Sequence, residues 1–467
     1  MTSMSELPFE FIKIERFDDL ALLKVDDAPA NTLTYDLLRQ LEDAFFTISL
    51  DPDIRAVVMT GEGEKFFSGG VNIGMLRSSS AQFNSNFLLY ASEVFGLITH
   101  ASQLVVAAIN GHVTGGGLEL ALIADRRVAV QGSYNLGFPE IRLGVIPGLG
   151  GTQRLARLIG TRQALELITH GEFIAVARAH ALGIVDAVFP KEGFHAAALE
   201  YTRRQLRELQ PKARLPGLSG PWQRPPDSLV SYSRQDNIGV ITLSQECAES
   251  SALQALWALN RAILKARMDE ATEVVLITHE GPRLQLGRAS SVDDHVWRYA
   301  HFVFGRLENY PRLCVLHLSG SADALGSELA LACDYRIGPQ SKNISETLLS
   351  IPASCSRYAR YLPPHAIVPA QAVQIPYSQA VEQSLLKVLN DDTQRAALSW
   401  MSRFVPPRGA SKALGYAKLA IVKSASLPNE AGALLERHLQ EQLFRGQDGP
   451  EGMRAYLEKR AAVFKGN

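Results

Sequence analysis

The chain has 467 residues, 47 Lys and Arg against 48 Asp and Glu, and a net charge of −1. That length implies roughly two to four domains, each able to bury a core, and the charge balance gives no reason to expect nucleic acid or an anionic membrane as partner. No stretch reaches the roughly 20 apolar residues of a membrane span. The four cysteines, Cys247, Cys314, Cys333 and Cys355, form no CxxC or Cys/His pattern, so free thiols, no metal and a cytoplasmic location are expected.

Residues 11–25 alternate apolar and polar side chains around Asp18-Asp19, which predicts a hairpin. Over residues 34–50, Leu37, Leu38, Leu41, Ala44, Phe45 and Ile48 recur at helical spacing behind Thr34, a suitable N-cap. The β-branched run 54–60 predicts a buried strand leading to Phe66-Phe67-Ser68-Gly69-Gly70. Residues 83–98, with Phe87, Leu88, Tyr90, Phe95 and Leu97, either line an apolar pocket or pack as a core helix. A strand over 104–109 runs into NGHVTGGGLELALIAD from Asn110, which reads as a strand end, a glycine turn and a helix. Another strand follows at 127–130, and the glycine-rich loop 144–151 feeds a helix near 153–159. This rhythm predicts an α/β layer fold.

Residues 211–228 hold five prolines among glycines and polar residues and predict a linker. Beyond it the chain repeats itself. AVVMTGEG at 56–63 returns as VVLITHEG at 274–281, and ELALIAD at 119–125 returns as ELALACD at 328–334. The expected division is a first copy at 1–210, a linker at 211–229, a second copy at 230–375 and a helical region at 376–467. From about 410 the chain is rich in Ala, Leu, Glu, Lys and Arg, with no counterpart at the end of the first copy.

Gly115, Gly116 and Gly117 let the backbone approach a ligand closely, and the helix that starts there adds its positive end, so an anionic oxygen is the expected guest. Glu119 sits in the first helical turn. Glu140 follows Pro139 among apolar neighbours, where desolvation would raise its pKa. Two glutamates from different elements suit a reaction that adds or removes water. Gly69 and Gly70 lead to Val71, whose N–H can aim at the same oxygen; each such donor contributes roughly 2.7–4 kcal/mol in catalysis. Singly, each glutamate also reads as a surface or cap residue, and the Gly69 turn as a plain tight turn.

Four segments resemble the crotonase (enoyl-CoA hydratase/isomerase) superfamily: FFSGGVNI from Phe66, NGHVTGGGLELALIAD from Asn110, LGFPEIRLGVIPGLGGTQRL from Leu136, and PEGMRAYLEKRAAVFKG from Pro450. The resemblance implies two tandem ββα-spiral cores with a C-terminal helical region, and homo-oligomers built on trimers. It also implies an oxyanion hole from the N–H groups of Val71 and Gly116. Gly69, Gly70, Ile73, Gly115 and Gly117 would contact substrate, Glu119 would activate water and Glu140 would protonate the α-carbon.

No cofactor is implied beyond the coenzyme A or phosphopantetheine arm that carries the acyl thioester. Asp26-Asp27-Ala28 and Asn72-Ile73-Gly74 stand where coenzyme A-binding members commonly carry Lys or Arg. Lys65, Arg77 and Lys465 are the candidate substitutes, and an acyl carrier protein thioester is the other expected substrate form.

In the second copy Leu325 falls at the place of Gly116, Arg288 at that of Gly70, and Ser345, counted back from Ile351-Pro352, at that of Glu140. This predicts an inactive copy with a structural Glu328, standing in for a partner subunit while residues 410–467 cap the first copy's pocket. The expected activity is hydration of a 2-enoyl thioester or dehydration of a 3-hydroxyacyl thioester. The alternatives are a carrier-protein-dependent dehydratase, isomerase or decarboxylase of polyketide-type biosynthesis, and a non-catalytic acyl-thioester-binding scaffold.

Overall fold

The computed structural model describes residues 9–208, 222–340, 345–362, 367–391 and 393–466. The chain divides into two compact units, Met1–Trp222 and Gln223–Asn467. The expected linker at 211–229 falls mostly outside the described residues.

In the first unit the expected hairpin forms from Ile12–Phe17 and Leu20–Val25, with Asp18 at φ +55 in the turn. It edges a six-stranded sheet continued in parallel by Ala56–Gly61, Leu104–Ile109, Arg126–Val130 and Ala187–Phe189. Every residue of Ala56–Gly61 and of Leu104–Ile109 is buried, as expected for parallel strands covered on both faces. Thr34 caps the helix Tyr35–Leu50 by accepting the Leu37 N–H at 3.2 Å. The helix Phe194–Glu208 covers the sheet through Phe194, Ala198, Leu199 and Tyr201. In the helix Ala81–Thr99, Phe87, Tyr90 and Phe95 are fully buried, so these aromatics pack as core.

A second, four-stranded sheet holds Phe66–Ser68, His112–Thr114, Asn135–Gly137 and Phe173–Ala175. The chain thus visits the large sheet, then the small sheet, then a helix, and starts again. Leu104–Ile109, His112–Thr114 and the helix Gly116–Leu122 make one such turn; Arg126–Val130, Asn135–Gly137 and the helix Gly151–Ile159 make the next. This is the ββα spiral, and it stacks the glycine turns that follow successive small-sheet strands.

The second unit repeats the plan, with a six-stranded sheet in the order Val230–Gln235, Ile238–Leu243, Val274–His279, Leu313–His317, Tyr335–Pro339 and Lys387–Leu389. Its small sheet holds Arg283–Leu284, Ser321–Ala322, Thr347–Ile351 and Val373–Pro376. The second core therefore runs past the expected boundary at 375. Lys387–Leu389 pairs in parallel with Tyr335–Pro339, and Ala397, Met401 and Val405 belong to the same core. The sequence cue of charged helical composition does not register a three-residue edge strand.

The helices after it are Ser411–Ser424, Asn429–Arg445 and Asp448–Leu457. The first docks on the second core. Lys418 Nζ is buried 3.0 Å from Asp334 Oδ2 and donates to the carbonyls of Leu307 and Arg312. Gly415 makes room there, since a Cβ on it would meet the Pro311 carbonyl oxygen at 2.0 Å.

Candidate active site

The strand Phe66–Ser68 ends at Gly69, whose N–H donates to the Ala30 carbonyl at 2.7 Å. Leu33 N–H donates to Gly70 O at 2.8 Å and Asn72 N–H to Leu33 O at 3.1 Å. These bonds fix the backbone on both sides of Val71 and leave its own N–H without a protein acceptor among the described residues. Gly70 has φ +90, and a Cβ there would sit 2.7 Å from Thr114 O, so only glycine lets the two segments meet.

The facing turn is built the same way. Gly115 adopts φ +54, ψ −129, a region open essentially to glycine alone, and its N–H donates to Gly137 O at 2.9 Å. Having no side chain, it leaves the following helix uncapped. Thr114 does not cap it either, because its Oγ1 donates to Gly69 O at 3.1 Å. Gly116 N–H is therefore one of the unsatisfied donors of a helix N-terminus. A Cβ on Gly116 would lie 3.3 Å from Val71 N, so the two unengaged N–H groups stand side by side, as an oxyanion hole requires. Gly117 packs on Ser68, whose carbonyl a Cβ would approach to 2.5 Å. Ile73 begins the short helix Ile73–Ser78 and is 54% exposed.

Glu119 is 1% exposed, and one oxygen, Oε1, accepts two N–H bonds at 2.7 Å, from Leu149 and from Gly151. Burial raises its pKa, opposed by those two N–H groups and by the charge of Arg154. Glu140 stands in the 3-10 turn Pro139–Leu143, with Oε1 2.8 Å from where a Gly115 Cβ would be. Its Oε2 is buried without a hydrogen-bond partner among the described residues. Burial pushes its pKa up to about 7, against its own backbone N–H, and the nearby Glu119 charge adds to the rise. The fold thus brings Val71 beside Gly116, Glu140 beside Gly115, and Glu119 near enough for its charge to act on Glu140.

The sequence reading did not assign Leu149, Gly151 and Arg154, although the first two lie in the glycine loop it singled out and the third in the helix that loop feeds. The signal was the Gly150-Gly151 pair at a helix start, which marks inward-facing N–H groups.

The second copy differs at each of these points. Its small sheet pairs Ala322 with Leu349, as the first pairs Val113 with Leu136. That register sets Leu349-Ser350-Ile351-Pro352-Ala353 over Leu136-Gly137-Phe138-Pro139-Glu140. The residue at the place of Glu140 is Ala353, therefore, and not Ser345. The count back from Ile351-Pro352 aligned them with the wrong proline, because the loop after the strand is shorter here.

Asp323 caps the helix Ala324–Ala332, accepting Gly326 N–H at 2.7 Å with the Leu325 N–H beside it. The chain's own carboxylate thus engages the start of this helix, including the N–H at the place of Gly116. Glu328 pairs with Arg357 at 2.9 Å, and Arg357 also binds Glu308 at 2.9 Å, which bears out the structural reading of Glu328.

Among the described residues no cluster of His, Cys, Asp and Glu could hold a metal, and no helix is long and apolar enough to cross a membrane. Over 187 residues the chain is 36% identical to a crotonyl-CoA hydratase of Syntrophomonas wolfei, a stretch covering 40% of this chain and 72% of that one. It is 35% identical over 197 residues to a glyoxysomal fatty acid beta-oxidation multifunctional protein of Cucumis sativus, 42% of this chain and 27% of that one. A solved enoyl-CoA hydratase of Bacillus anthracis shares 32% identity over 43% of this chain and 78% of its own, with a TM-score of 0.42. The sequence model for enoyl-CoA hydratase/isomerase matches residues 15–214 and again 233–467. The chain belongs to the enoyl-CoA hydratase/isomerase family, with two crotonase-type copies in tandem.

Proposed function

We propose that the first copy hydrates a 2-enoyl thioester, or in reverse dehydrates a 3-hydroxyacyl thioester. The observation that carries this reading is the buried, unpartnered oxygen of Glu140 next to Glu119 and beside two open N–H groups. Water held by the pair gives a proton to Glu119 as its oxygen bonds to C3. The C2=C3 electrons move to the thioester oxygen, and the enolate formed is stabilised by Val71 N–H and Gly116 N–H. The enolate then collapses as C2 takes a proton from Glu140. The net change is the addition of one water, after which a proton passes from Glu119 to Glu140 to restore the pair. A pKa raised to about 7 suits Glu140 to this task, since a group that titrates near neutral pH can both hold and give a proton.

The test is to incubate the full chain with crotonyl thioesters of coenzyme A and of an acyl carrier protein, following loss of enoyl absorbance. Wild type should turn over, and Glu119→Gln and Glu140→Gln should each fall at least about a hundredfold. Turnover on the carrier thioester alone would assign the substrate to a carrier protein. Binding without glutamate-dependent turnover would end the hydratase reading in favour of a scaffold.

A further inference from the structure

Glu119 and Glu140 lie close enough to feel each other's charge, and the hydration scheme needs one proton between them on a particular member. What distinguishes the two carboxylates is the company they keep. Glu140 has one oxygen with no partner, whereas Glu119 is gripped by two short N–H bonds from residues 30 and 32 positions away.

Three consecutive peptide groups make that grip. The first and third, ending in the N–H groups of Leu149 and Gly151, point at Glu119 Oε1. The middle one, carrying the Leu149 carbonyl, is held from the other side by Arg154 Nη1 at 2.6 Å. Gly150, at φ +95 and ψ 9, supplies the left-handed residue that an anion-binding nest requires. Its missing side chain also admits the guanidinium, since a Cβ on Gly150 would lie 2.2 Å from Arg154 Nη1. Arg154 touches neither carboxylate by hydrogen bond, but its charge bears on Glu119.

We propose that Arg154 is the positioning residue of this acid/base pair: by holding the Leu149 carbonyl it fixes the two N–H groups that grip Glu119, and so directs the pair's single proton to Glu140. Its catalytic consequence rests on the hydratase reading, while its effect on the two carboxylates does not. The charged groups concerned are few. Arg154 from the helix Gly151–Ile159 and Glu140 from the turn Pro139–Leu143 face Glu119, and Glu119 and Arg157 face Arg154.

The experiment uses the full chain with 13C-labelled glutamate side chains, in wild type, Arg154→Met and Arg154→Lys, with Glu119→Gln and Glu140→Gln assigning the two signals. Without substrate, Arg154→Met should move the Glu119 titration to higher pH and the Glu140 titration to lower pH. Arg154→Lys, which keeps the charge but not the planar fork, should move both less, and it carries the test if the Met variant does not fold. With a crotonyl thioester, kcat should fall roughly ten- to a hundredfold in Arg154→Met with KM nearly unchanged, and its acid limb should shift upward. Unchanged titrations of both glutamates in folded Arg154 variants would overturn the proposal. Wild type that turns over no thioester would overturn the hydratase reading alone, leaving the titration result to decide the role of Arg154.

Discussion

The space that Gly115 leaves by having no side chain is filled by the carboxylate of Glu140, whose Oε1 lies 2.8 Å from where a Gly115 Cβ would stand. Glycine is needed twice over at this position, for φ +54 with ψ −129 and for the carboxylate. Gly115→Ala should therefore cost about 1–3 kcal/mol in stability and roughly a hundredfold in kcat by displacing Glu140. Urea unfolding and steady-state hydration assays check the two halves. An alanine variant with unchanged kcat would show that Glu140 does not work from this position.

The pH dependence follows from Glu140. In the proposed hydration, turnover in either direction needs the pair to hold one proton, and the value of about 7 belongs to the coupled pair. Activity should fall as pH rises through about 7, because above it both carboxylates are ionised. A rate that is flat from pH 6 to 9 would contradict this assignment.

The same group links folding to pH. Glu140 titrates near about 4.3 when unfolded and at about 7 when folded. Between those values the folded chain holds the extra proton, so this contribution is fully present below the lower value and is lost as pH rises through the upper one. Glu140→Gln removes the dependence. Its Tm advantage over wild type should grow from pH 5 to pH 8, which differential scanning calorimetry measures. A constant difference would mean that Glu140 is not raised by burial.

In the second copy, Arg357→Met strands Glu328 as a buried charge and should destabilise that unit by about 3–5 kcal/mol. Adding Glu328→Gln should recover much of the loss, because the uncompensated carboxylate, not the missing arginine, is then gone. Three of the four tryptophans, Trp257, Trp297 and Trp400, lie in the second unit and Trp222 ends the first, so denaturant titration followed by tryptophan fluorescence in a Trp222→Phe background reports the second unit. Full destabilisation in the double variant would show that Arg357 acts through packing instead.

Asp323 occupies the start of its helix, including the N–H at the place of Gly116, the proposed oxyanion donor of the first copy. Calorimetric titration with a non-hydratable acyl thioester should therefore give one site per chain. Asp323→Ala should leave that count at one, since Leu325 still covers the turn, while lowering stability by roughly 0.5–2 kcal/mol for the lost cap. Two sites in wild type would mean that the second copy binds substrate.

The hairpin at Asp18-Asp19, the helix behind Thr34, the triple-glycine turn and the internal repeat were all legible in the sequence. Each is encoded by residues a few positions apart, where periodicity, capping and turn chemistry act. Glu119 and Glu140 were legible as candidates for the same reason. Ser345 was misplaced because strand register is set by ladder hydrogen bonds to another strand, and a count along the chain does not see a shortened loop. The boundary at 375 failed likewise, since Lys387–Leu389 becomes a strand only by pairing with Tyr335–Pro339.

By itself, the sequence determined the two spiral cores and the candidate residues for the chemistry of the first, because those depend on local residue types and on a repeat that can be read directly. Tertiary structure alone decided how the carboxylates differ. Glu119 is bound by Leu149 and Gly151 across about 30 residues, Glu140 is left with a bare oxygen, and Glu328 is neutralised by Arg357. Burial and hydrogen bonding set the protonation of a carboxylate, and both are supplied by neighbours in space.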